Sequence, residues 1–248
     1  MSRNIDYRVD DGVAMVHLNA PERRNALDPE MADELTAICA EIASDRTVGA
    51  TAIFGRGKSF CAGAVRAVLE RAGQDPADGD RWDELGRIYA AFTAFGELPV
   101  PTIAGVAGAA VGAGMNLALA ADVRIVTDDA LFLSGFLDIG IHPGGGHLHL
   151  LERSIGRSRA AAIGLLGAPV PGAQAVDAGL AWACVASDEI ESAVLSLAAK
   201  AAADPALSRH NVASFRATVD GVPWASARAV ERSAQMWSLR RRAQKEWS

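Results

Sequence analysis

The chain has 248 residues and a mass of 25.9 kDa, enough for one large domain or two small ones. Half of its residues are hydrophobic and 22% are charged, which excludes global disorder. Thirty acids against 24 bases give a net charge of −6, which excludes a general polyanion binder and leaves nucleic acid out as a partner.

Cys39, Cys61 and Cys184 are odd in number, far apart and form no C-x-x-C pair. That usage fits a reducing cytoplasm better than a disulfide framework. The first ten residues, Met1–Asp10, carry charges where a signal peptide needs an apolar core. Leu98–Ala121 is free of charge and imitates a membrane span, but Pro99, Pro101 and Gly105, Gly108, Gly112 and Gly114 break it. The expectation is a soluble protein with no membrane partner.

In chain order, Ile5–Val9 and Val13–Leu18 are β-rich runs around Asp10-Asp11-Gly12, a hairpin signal. Asp28-Pro29-Glu30 supplies an N-cap, a proline at the first helical position and a first-turn acid. Leu35, Ile38, Cys39 and Ile42 then form the apolar stripe of that helix. Val48–Phe54 reads as a buried strand, a helical segment follows Ala64, and Arg81–Phe95 repeats apolar residues, Tyr89 among them, at helical spacing. Val100–Val106 predicts a strand, Gly112–Ala121 a helix and Val123–Val126 a strand. Leu131–Leu133 and Phe136–Ile139 read as short strand pieces. Beyond Gly144-Gly145-Gly146 the chain turns helical over His147–Ile155, Ser158–Leu166, Gly172–Ala178, Asp188–Ala202 and from Trp224 onward.

The chain holds no G-x-S-x-G elbow and no phosphate loop of the G-x-x-x-x-G-K type. His142, His147 and His149 invite a metal reading, but His147 and His149 diverge on a helix and no H-E-x-x-H accompanies them; no metal is expected. Two glycine-rich turns are more informative. Lys58–Ala64 and Gly108–Gly114 each follow a strand and open a helix, where unpaired backbone N–H groups and the helix dipole favour an anion. Facing each other, two such turns would make an oxyanion hole.

Several ordered stretches carry a resemblance. They are Pro21–Leu27, Ser59–Ala64, Pro101–Ala118, Ala121–Arg124, Leu137–Gly146 and Ala175–Leu180. Together they resemble the enoyl-CoA hydratase/isomerase (crotonase) family over nearly the whole chain. The resemblance implies an α/β fold, a spiral of ββα turns over residues 1–190, with a helical C-terminal trimerisation region over 191–248, continuous with it. It implies a homotrimer or homohexamer that binds an acyl-CoA thioester, with coenzyme A arriving as part of the substrate and no permanently bound cofactor.

The family's oxyanion donors would fall on the backbone N–H groups of Ala64 and Ala113. Arg24, Ala26, Ala62, Gly63, Val65, Arg66 and Gly112 would lie along the CoA groove; Val65 stands where an aspartate is usual. Hydratases of the family use two glutamates. Here the corresponding residues are Asn116, which exchanges no proton near neutral pH, and Phe136, which has none to exchange. Asp138, two residues on and on the same side if the segment is a strand, and His147 are candidate substitutes, with His142 a third. The reaction therefore stays open between hydration, isomerisation, hydrolysis and decarboxylation. A catalytically silent acyl-CoA-binding protein is the alternative.

Overall fold

The computed structural model describes residues 4–219 and 221–246. Expectations resting on residues 1–3, 220, 247 and 248, the first residues of the charged start and parts of region 191–248, lie outside the described residues.

The hairpin read around Asp10-Asp11-Gly12 is β1 (Ile5–Asp10) against β2 (Val13–Leu18), antiparallel. From β2 onward the large sheet is parallel through β3 (Ala50–Gly55), β4 (Thr102–Val106), β6 (Val123–Thr127) and β9 (Ala183–Val185). A smaller sheet joins β5 (Ala109–Val111), β7 (Leu131–Leu133) and β8 (Val170–Pro171).

The chain repeats one unit: a strand in the large sheet, a strand in the small one, then a helix. It runs β4, β5, α4 (Ala113–Ala120), then β6, β7, α5 (His147–Gly164). The turn before them follows the same path. After β3, Cys61 bridges to Ala110 of β5, and α2 (Arg66–Gln74) and α3 (Gly79–Gly96) follow. This is a spiral of ββα turns.

Period-two side-chain alternation explains why β2 is buried along its whole length. Ala14, Val16 and Leu18 enter one core with Leu35 and Ile42 of α1 (Pro29–Ser44). Val13 and Met15 face the other side and meet Ile190, Val194 and Ala198 of α7 (Ile190–Ala202). The Asp28 carboxylate caps α1 by accepting from the Met31 N–H at 2.8 Å.

The strand expected over Phe136–Ile139 needs correction, and β5, β8 and β9 were not expected at all. Phe136–Ile139 is not extended: a 3₁₀ turn spans Leu137–Ile139, between Gly135 and Gly140 at φ of 70° and 69°. Left-handed residues on either side end an extended path and close hydrogen bonds from Gly140 N–H to Leu137 O and from Ile141 N–H to Phe136 O, both 3.1 Å. The sequence reading also passed over α8 (Pro205–Thr218), although Asp204-Pro205 repeats the Asp28-Pro29 start signal and the Asp204 carboxylate accepts from Leu207 N–H. Its apolar stripe is weak: only Ser208 and Val212 are buried. The break expected between Ile155 and Ser158 falls at Gly156 of α5, whose φ of 74° and ψ of 166° are not helical. After α8, α9 (Trp224–Glu246) ends the described chain. No helix among the described residues is long and apolar enough to cross a membrane.

Candidate active site

Two backbone ladders bring the glycine turns together. Cys61 N–H donates to Ala109 O at 3.1 Å, and Val111 N–H donates to Cys61 O at 2.9 Å. The approach needs small residues on both sides. A Cβ on Gly114 would overlap the Cys61 carbonyl, and a Cβ on Gly63, already at φ +97°, would stand 2.8 Å from Val111 O. On the far side, Leu27 N–H donates to Gly63 O at 2.7 Å and Val65 N–H donates to Leu27 O at 2.8 Å. Those two bonds straddle Ala64, which in a parallel bridge turns its own N–H away from Leu27. Ala113 is the first residue of α4, so its N–H has no intrahelical carbonyl to reach. Both alanines line one partly open pocket of about 90 Å³.

Its wall is apolar, with Leu69, Leu85, Val111, Phe136, Ile139 and Ile141 contributing, and no aspartate or glutamate lines it. Its polar side chains are Tyr89, Asn116 and Ser134, the last two joined through His147 just behind the wall. His147 Nδ1 lies 2.7 Å from Asn116 Oδ1, and His147 Nε2 lies 2.8 Å from Ser134 Oγ. Asn116 Nδ2 donates to Gly144 O at 3.0 Å. All three side chains are buried. Burial disfavours the imidazolium and pushes His147 down from 6.5 to about 4, so the ring is neutral near pH 7.

Ala62, Gly63, Ala64, Gly112, Ala113, Asn116 and Phe136 all line the pocket. Arg24 and Arg66 are exposed, and neither is in an ion pair among the described residues. Arg24 is tied to the pocket wall through its carbonyl, which accepts from Ala62 N–H at 2.9 Å. Arg66 opens α2, with Val65 as the residue before the helix, and Ala26 lies half-buried between Arg24 and Leu27.

Asp138 is a correction. It sits exposed in the 3₁₀ turn and does not line the pocket, because the turn rotates it away from the side Phe136 faces. His142 is exposed too, its Nδ1 2.7 Å from Pro143 O. Two polar pocket residues were missed. Tyr89 had read as one more apolar position of its helix, and Ser134 carries no local motif at all. Among the described residues no group of three His, Cys, Asp or Glu side chains could hold a metal.

A family model described as Enoyl-CoA hydratase/isomerase matches residues 8–245. A Mycobacterium tuberculosis H37Rv protein named "Probable enoyl-CoA hydratase" is 43% identical over 211 residues, 85% of this chain and 79% of its own. The 1,2-epoxyphenylacetyl-CoA isomerase of Escherichia coli K12 is 33% identical over 200 residues, 79% of this chain and 75% of its own. A Thermobifida fusca YX protein crystallised with acetoacetyl-CoA superposes with a TM-score of 0.83 at 27% identity, covering 96% of both chains.

Proposed function

The chain belongs to the enoyl-CoA hydratase/isomerase family, and on that premise we propose that it binds an acyl-CoA thioester and stabilises the oxyanion of its carbonyl without hydrating a double bond. One observation carries the reading: Ala64 and Ala113 line a single pocket that no aspartate or glutamate lines. The thioester oxygen lies between the two donors. Each is worth about 3–4 kcal/mol when it meets charge that develops only in the transition state. Water addition would need a base and an acid, and Asn116 and Phe136 supply neither.

The exposed guanidinium groups of Arg24 and Arg66 hold the CoA phosphates outside the pocket, a local positive site on an acidic protein. Coenzyme A enters as part of the substrate, and no other cofactor is required by this chemistry. The complex of the Thermobifida fusca protein with acetoacetyl-CoA supports the same ligand class for this fold. The working form is a homotrimer or homohexamer in the cytoplasm.

Titration calorimetry with acetyl-CoA, hexanoyl-CoA and palmitoyl-CoA tests the reading. Saturable binding is expected, weakened by about 1 kcal/mol, or about fivefold in Kd, in each of Arg24→Ala and Arg66→Ala. No binding at any chain length overturns it.

A further inference from the structure

We propose that Ser134, His147 and Asn116 form a nucleophile, a base and an orienting group, and that the pocket hydrolyses apolar acyl-CoA thioesters through an acyl-Ser134 intermediate. The inference rests on the acyl-CoA reading above and adds the reaction to it.

The hydrogen bonds determine the direction of proton flow. Gly144 O only accepts, so the atom of Asn116 that faces it at 3.0 Å is the NH₂ group. The Asn116 oxygen therefore faces His147 Nδ1 at 2.7 Å, and Nδ1 must carry the proton. Nε2 is left with its lone pair, aimed at Ser134 Oγ at 2.8 Å, and the hydroxyl donates to it. This is the order a serine nucleophile requires. An asparagine serves as the orienting group only in this sense. With its NH₂ toward the ring it would select the wrong tautomer, a defect worth about 10⁴ in rate in a serine protease. Here the Gly144 carbonyl prevents that.

The network is not closed off in the core. Ser134 and Asn116 line the same pocket as Ala64 and Ala113, and apart from Tyr89 the other lining side chains are apolar, as an acyl chain requires. The His147 ring is neutral near pH 7, which leaves Nε2 unprotonated beside Ser134 Oγ.

Ser134 Oγ attacks the thioester carbon while its proton passes to His147 Nε2, and the carbonyl electron pair moves to oxygen between the two backbone donors. The C–S bond breaks, and the CoA thiolate takes the proton from His147. A water molecule then gives one proton to His147 and bonds to the acyl carbon. The acyl–Oγ bond breaks, and the proton returns to Ser134. One thioester and one water become one carboxylic acid and one thiol.

The full-length protein is incubated with acetyl-CoA, hexanoyl-CoA and dodecanoyl-CoA, and free thiol is followed against released acid. Equimolar thiol and acid are expected, falling about a hundredfold or more in Ser134→Ala. Binding of S-hexyl-CoA, a thioether that cannot be cleaved, is expected to survive that change. Ser134→Cys should carry a trapped acyl group on the peptide containing residue 134 after acid quench. Should Ser134→Ala fail to fold, a serine-directed fluorophosphonate on the unmodified protein decides, an adduct at Ser134 being expected. Binding of S-hexyl-CoA without thiol release from any substrate overturns the hydrolytic proposal, as does release that persists in Ser134→Ala or the absence of any adduct at Ser134. Failure to bind S-hexyl-CoA at all overturns the acyl-CoA reading instead.

Discussion

The ring of Phe136 stands edge-on against the imidazole of His147, with 5.0 Å between centroids and 63° between planes. An aromatic ring packed there gives contact but no solvation for a charge, so Phe136 helps to keep the imidazole neutral.

Stability should follow the protonation of this histidine. Its native pKa of about 4 lies below the ordinary 6.5, so between those values the unfolded chain binds the proton and the native one does not. The contribution is therefore complete above pH 6.5 and is lost as pH falls toward 4, amounting to about 3 kcal/mol at most. His17, also pushed down by burial, acts in the same direction. Urea unfolding at pH 7 and pH 4.5 should show a smaller difference for His147→Gln than for the unmodified chain. Phe136→Ala, which admits water, should raise the imidazole titration toward its ordinary range when followed by proton NMR.

Gly114→Ala should be among the most damaging single changes near the pocket. Its Cβ would overlap the Cys61 carbonyl, a backbone atom held by Val111 N–H, so the two glycine turns must separate. The expected cost is about 1–3 kcal/mol or more, read as a lower urea midpoint, together with weaker acyl-CoA binding. Gly86→Ala, on an open face of α3, is the control: it should leave binding unchanged and, since alanine favours a helix over glycine, should not lower the urea midpoint. Equal behaviour of the two variants would refute the close contact.

Crotonyl-CoA should be hydrated very slowly. Each missing proton-transfer group is worth about 10²–10⁴-fold, so the rate should lie on the order of 10⁴ or more below that of a two-glutamate hydratase. The double change Asn116→Glu with Phe136→Glu should raise the loss of enoyl absorbance above the unmodified level. It should also lower stability, because a carboxylate at position 116 faces the Gly144 carbonyl without a proton to share, a loss of about 1–3 kcal/mol. Efficient hydration by the unmodified chain would refute the assignment of these two positions.

Light scattering at micromolar concentration should report a trimer or hexamer. Leu166, Trp182 and Trp224 are 79%, 71% and 79% exposed, and Met236 and Leu239 are also exposed on α9. Large apolar side chains left in water in this number favour association. A monomer would refute the expectation.

Much of the fold was legible because its signals are local. Hydrophobic alternation marked β2, the Asp28-Pro29 start marked α1, and glycine-rich turns after strands marked both the 58–64 and 108–114 loops. Where local signals misled, backbone chemistry was the cause. Phe136–Ile139 is apolar enough for a strand, but Gly135 and Gly140 turn the chain at both ends, and that single turn removes Asp138 from the pocket.

Residue identities alone determined that Asn116 and Phe136 carry no acid, whatever the fold does with them. Only the tertiary structure decided which polar side chains meet at the pocket. Ser134 and His147 are 13 residues apart and Asn116 and His147 are 31 apart, with no motif linking them, and they meet because successive ββα turns stack β7, α4 and α5 side by side. Which way the Asn116 amide faces, and hence which imidazole nitrogen is free, depends on the Gly144 carbonyl 28 residues away. A hydrogen-bond direction of that kind is a property of packed neighbours, and the order of residues along a chain does not encode it locally.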